Sequence, residues 1–113
     1  MKNVLIASMI SLLATDALAH SKTNATLPAD GAQLTEMPDQ ISLTFAKKIR
    51  LTKIEMTHAS DPSVTLDLGE QTSFGKEFSV PVDQQGDGVY RIEWRGLGGD
   101  GHPMQGMFTF QVE

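Results

Sequence analysis

Strict two-residue alternation of apolar side chains constrains this chain more than any other feature. Ile41, Leu43 and Phe45 alternate with Ser42 and Thr44, and Tyr90, Ile92 and Trp94 alternate with Arg91, Glu93 and Arg95. Near the end, Phe108, Phe110 and Val112 alternate with Thr109 and Gln111. A period of two puts one set of side chains on each face of an extended segment, so each stretch reads as a half-buried β-strand. Leu51 to Thr57 is compatible with a strand, with Ile54 and Met56 on one side. Val64, Leu66 and Leu68 form a further alternating run that ends at Gly69. Phe78, Val80 and Val82 form another, and Pro81 inside it points to a sheet edge, because proline has no N–H for a ladder. A short strand is expected around Asn24 to Leu27, which brings the total to about seven. Gly96 to Pro103, rich in glycine, is expected to be a loop between the last two strands.

Pro28, Asp30-Gly31, Pro38, Asp61-Pro62 and Asp87-Gly88 supply the turns, and no useful 3.6-residue period follows residue 20. The fold class is therefore all-β: an antiparallel Greek-key sandwich or barrel of immunoglobulin-like type. Its expected core is Leu43, Phe45, Ile54, Leu66, Phe78, Val80, Tyr90, Ile92, Trp94, Phe108 and Phe110. At 113 residues the chain holds one such domain. It has no cysteine, which excludes a disulfide scaffold, an iron–sulfur protein and a thiolate zinc site. Fourteen acidic against nine basic residues give a net charge of −5, which disfavours nucleic acid and suits cations.

The N-terminus has a different character. Lys2 precedes an uncharged run from Val4 to Leu13, and Ala17-Leu18-Ala19 closes the segment. A positive start, a short apolar run and an A-x-A ending are the signs of a secretory signal peptide. The run is too short to span a bilayer, which takes about 20 residues. Residues 1–19 are expected to be removed by cleavage after Ala19, leaving residues 20–113 as an exported, periplasmic domain. The cut removes Lys2 and Asp16 together, so the charge stays at −5.

Cleavage there would make His20 the first residue. Its α-amine and imidazole Nδ1 could then close one chelate ring on a metal, and the amine loses its proton far more readily than a lysine does. Asp100-Gly101-His102 adds a carboxylate and a second imidazole at a spacing that, in an extended segment, points both the same way. A nitrogen-rich set without thiolate favours Cu(II) over Zn(II). On the residues alone a solvated surface loop remains an equal reading, since D-x-H is a common tripeptide.

The motifs together carry a resemblance. His20 after an Ala-ending leader, Leu27-Pro28-Ala29-Asp30-Gly31-Ala32, Ile41 to Phe45, Gly88 to Arg95, and Asp100-Gly101-His102-Pro103 followed by Gly106 and Phe108-Thr109-Phe110 resemble the CopC family of periplasmic copper-resistance proteins. The resemblance implies a Greek-key β-domain that binds Cu(II), with His20 as an N-terminal histidine brace and Asp100 and His102 completing the site. It implies copper capture, homeostasis and resistance, and hand-over to an inner-membrane transporter of the CopD type. The protein would be a monomer and not an enzyme. Some family members also hold Cu(I) in a methionine-rich loop. The corresponding stretch here, Met56 to Pro62, offers only Met56, on the apolar phase of its strand, and His58, expected to be a solvated turn residue. Met104 and Met107 flank the Asp-x-His segment and either shield a site or pack the core. Two rival functions remain: a copper oxygenase, which also uses a histidine brace, and a metal-free immunoglobulin-like module.

Overall fold

The computed structural model describes residues 25–113. The expected leader, His20 and Asn24 lie outside the described residues. Seven strands form one mixed sheet that curls around a single apolar core: β1 (Ala25–Leu27), β2 (Ala32–Leu34), β3 (Gln40–His58), β4 (Val64–Thr65), β5 (Gly75–Pro81), β6 (Gly88–Gly98) and β7 (Pro103–Val112). No helix among the described residues is long and apolar enough to cross a membrane.

The long third strand organises the rest. The sequence reads as two strands here, Ile41–Phe45 and Leu51–Thr57, but β3 runs unbroken through both. Two irregularities hide its continuity. From Thr44 to Ile49 the partner strand β5 advances only from Glu77 to Gly75, so exposed Ala46, Lys47 and Lys48 bow outward. Farther on, Leu51 faces Gly96 while Lys53 faces Arg95, which leaves Thr52 as an extra residue. This β-bulge moves the buried side chains from odd positions (Ile49, Leu51) to even ones (Ile54, Met56). The Thr52 hydroxyl donates to the Arg95 carbonyl (3.1 Å) at the bulge.

The pairings of β3 also fix which strands are neighbours. Thr44 lies between Ala25 of β1 and Glu77 of β5, and Ile49 between Gly98 of β6 and Gly75 of β5. Hence β5 follows one edge of β3, while β1 and β6 share the other. Because β1 is antiparallel to β3, the chain enters β1 from the side on which β6 ends.

Three details correct the sequence reading. The sheet is not wholly antiparallel, since β2 pairs in parallel with the end of β7. The turn before β2 causes this: Asp30 Oδ1 accepts the Thr109 N–H (3.0 Å) and Gly31 N–H donates to the Thr109 carbonyl (2.7 Å), docking the turn on the free edge of β7. The expected strand over Val64 to Leu68 shortens to two residues, and Leu66 is half-buried against the core rather than within it. Finally, Gly96 to Gly98 is strand, not loop. A Cβ on Gly96 would lie 2.7 Å from the Arg50 carbonyl oxygen, so this glycine permits close backbone approach inside the sheet.

The other expected core residues are buried, joined by Met37, Ile41, Ile49, Leu51, Met56, Val82 and Val112. Phe45 meets Trp94 edge-on at 5.0 Å between ring centroids, and Tyr90 stacks on Phe110 at 5.2 Å. As expected for an edge strand, β5 has β3 as its sole partner among the described residues, and Pro81 ends it.

Candidate metal centre

The β6–β7 hairpin builds the site. Its ladder continues through Gly96↔Met104 and Leu97↔Pro103, so only Gly99 to His102 make the turn. Gly98 N–H donates to the His102 carbonyl (2.9 Å) and Gly101 N–H to the Gly98 carbonyl (2.9 Å). Gly101 has φ of +85°, a left-handed conformation that costs glycine little and other residues more. The segment Asp100 to His102 is thus a tight turn rather than the extended tripeptide expected. The two side chains still meet, because the turn folds them together.

Asp100 grips His102 twice. Oδ1 accepts the His102 backbone N–H (3.1 Å), and Oδ2 lies 2.9 Å from His102 Nδ1. The backbone hydrogen bond from His102, followed by the side-chain one, holds the Asp100 carboxyl below its ordinary value of 3.8. With Nδ1 occupied, Nε2 is the imidazole nitrogen free to bind a metal. A carboxylate on the other ring nitrogen is the usual support for a metal-binding histidine. A carboxylate hydrogen-bonded to Nδ1 lies across the ring from Nε2, so in this arrangement Asp100 orients His102 and would have to leave Nδ1 to bind the same ion. Both side chains are well exposed, at 68% for Asp100 and 79% for His102.

Among the described residues, no third His, Asp or Glu joins this pair to form a metal-holding cluster. His58 is far off: it pairs with Tyr90 near the start of β6, whereas the turn follows Gly98 at its end. Its expected role as a solvated turn residue is wrong. His58 ends β3 with its side chain only 14% exposed, stacks on Tyr90 at 4.5 Å, and donates from Nε2 to the Asp87 carbonyl (2.7 Å). Cross-strand burial by Tyr90 explains the difference. Met56, on the apolar phase, is buried as expected.

The structure separates the two flanking methionines. Met107 faces outward and is 58% exposed, while Met104 is half-buried against the core. Met104 shares its phase with Gly106, Phe108 and Phe110, so extending the alternation of the last strand backwards was the signal that would have placed it. A groove of about 370 Å³ lies on the outer face beside Lys53, Glu55, Glu93, Arg95, Gln105 and Met107. It does not include Asp100 or His102. Of its charges, Lys53 pairs with Glu55 (3.4 Å), and Glu93 pairs with Arg91, which lies outside the groove (3.6 Å).

A small all-β domain with an aspartate–histidine turn at one end describes a class, and comparison with known proteins gives the family. The profile of the CopC domain matches residues 23–113. "Copper resistance protein C" of Xanthomonas campestris pv. juglandis is 30% identical over 112 residues, covering 91% of this chain and 87% of the relative. "Protein YobA" of Escherichia coli K12 is 28% identical, covering 91% and 86%. Among solved structures, CopC from Methylosinus trichosporium OB3b superposes with a TM-score of 0.69 at 19% identity, covering 83% of this chain and 94% of that one. PcoC, a methionine-rich copper resistance protein from Escherichia coli, gives a TM-score of 0.58 at 26% identity, covering 84% of this chain and 100% of its own. The chain belongs to the CopC family, and its function is copper-related.

Proposed function

We propose that the protein captures Cu(II) in the periplasm and passes it to an inner-membrane transporter of the CopD type, without catalysing a reaction. Residues 1–19 would be the export signal, and cleavage after Ala19 would create the histidine brace. His20 would then supply its α-amine and Nδ1, His102 an imidazole nitrogen, and Asp100 a carboxylate oxygen released from its contact with His102 Nδ1. Three nitrogens and one carboxylate suit Cu(II). An exposed turn suits a site that must release its ion to a partner.

The single observation that carries the reading is the direction of β1. Its entry side faces the end of β6: His20 precedes Ala25, the partner of Thr44, by five positions, and Ile49 beside Gly98 follows Thr44 by five. An extended segment of that length spans about 16 Å. Asp100 and His102 leave the metal's remaining positions to ligands from elsewhere, and an N-terminus created by cleavage after Ala19 would be long enough to reach them.

Two observations favour a carrier over an oxygenase. Trp94 and Tyr90 are both buried, so neither offers a stacking platform for a polysaccharide. A carboxylate beside His102 also takes a position that oxygen chemistry needs open.

The reading is tested by Cu(II) titration of protein beginning at His20, alongside His20→Ala and His102→Ala. One tightly bound Cu(II) per chain, weakened in both variants, supports it. Unchanged affinity in both variants refutes the ligand assignment.

A further inference from the structure

Gly98 lacks a side chain, and the space above it gathers two donor atoms. A Cβ built there would lie 3.0 Å from Asp100 Oδ1 and 3.3 Å from Met104 Sδ. The thioether of Met104 and a carboxylate oxygen of Asp100 therefore both pack against Gly98, where only a hydrogen fits, beside the Asp100–His102 pair. The ladder holds Met104 in place, since its backbone stands opposite Gly96 and its sulfur lies beside Gly98. The other described methionines have different settings. Met37 and Met56 are buried in the core, and Met107 points outward from β7.

We propose that Met104 is a copper ligand of the Asp100–His102 site, a soft donor that lets this one site hold Cu(I) as well as Cu(II). The inference rests on the copper-binding function proposed above and extends it to the second oxidation state. Cu(I) prefers thioether and imidazole to carboxylate, whereas Cu(II) is served by nitrogen and oxygen. With Met104 Sδ and Asp100 both beside Gly98, the site offers each ion the donor it favours, with His102 common to both. Asp100 alone would bias the site towards Cu(II). Met104 offsets that bias without a separate methionine-rich loop.

The test uses protein beginning at His20, with Met104→Leu and Met107→Leu, under anaerobic conditions. Cu(I) is supplied as such and competed with the chromogenic chelator bicinchoninate, while Cu(II) is titrated in parallel in air. Leucine keeps the volume and apolar contacts of Met104, and a melting curve checks that the fold is retained. The expected result is a loss of Cu(I) affinity of roughly tenfold or more in Met104→Leu, with Cu(II) affinity within about threefold of wild type. Met107→Leu should match wild type for both ions. Independently of any variant, selenomethionine-labelled protein loaded with Cu(I) should show copper–selenium scattering in X-ray absorption. Wild-type Cu(I) affinity in Met104→Leu, or no copper–selenium scattering, overturns the proposal while Cu(II) binding by the wild type leaves the copper-carrier function standing. Failure of wild-type protein to bind either ion overturns both.

Discussion

Trp94 and Gly106 stand directly opposite each other on β6 and β7, and the indole lies across the glycine. A Cβ at position 106 would sit 2.6 Å from the indole nitrogen and 2.7 Å from two ring carbons. Trp94 has no room to retreat, because it is buried and its other contacts include the edge-on ring of Phe45. Gly106→Ala should therefore destabilise the fold by about 2 kcal/mol, as overpacking does. Urea denaturation followed by Trp94 fluorescence measures this. An unchanged midpoint would show that the indole moves aside freely.

His58 closes the far end of the barrel, away from the Asp100–His102 turn. Its ring covers Tyr90 and its Nε2 caps the Asp87 carbonyl. Removing a stacked ring and a hydrogen bond from a mostly buried position costs about 2 kcal/mol. His58→Ala should lower the melting temperature and leave copper affinity at the wild-type level. A loss of copper affinity without a loss of stability would place His58 at the metal.

The sequence displayed the fold where its period was clean. Tyr90, Ile92 and Trp94, with Phe108, Phe110 and Val112, alternate without interruption and are buried as expected. The alternation failed where the backbone itself is irregular. Thr52 shifts the buried phase by one residue, and Ala46 to Lys48 bow out of register, so one strand looks like two. Ala32 to Leu34 is too short to show a period, and its parallel pairing depends on Asp30 docking against Thr109, a contact distant in sequence. Asp100 and His102 were legible from spacing, but a turn at Gly101 joins them rather than an extended strand. Met104 stayed ambiguous because the glycines around it resemble a loop, although Gly96 and Gly98 belong to the ladder.

The Asp100–His102 contact has a pH signature. Hydrogen bonds from His102 favour the ionised carboxyl and lower its titration midpoint below 3.8. A depressed carboxylate contributes order to the turn that is fully present above its ordinary value and is lost as pH falls through the lower, folded-state value. Carbon-detected NMR of metal-free protein should show the Asp100 carboxyl titrating below 3.8, with the His102 amide shifting in the same step. A midpoint above 3.8 would mean that the turn does not hold in solution.

Copper affinity should follow a different titration. Protons compete for the α-amine and both imidazoles, so Cu(II) affinity should fall steadily from about pH 8 to about pH 5. Competition titrations across that range would reveal it. A flat profile would contradict nitrogen ligation.

On the proposed function, processing creates a ligand: the freed amine of His20 would bind copper together with His102 and Asp100. Protein beginning at His20 can be compared with protein carrying one additional alanine ahead of it, which keeps the imidazole but moves the amine. Cu(II) titration of the two should show roughly tenfold or greater weakening in the extended chain. Equal affinities would show that the His20 amine is not a copper ligand.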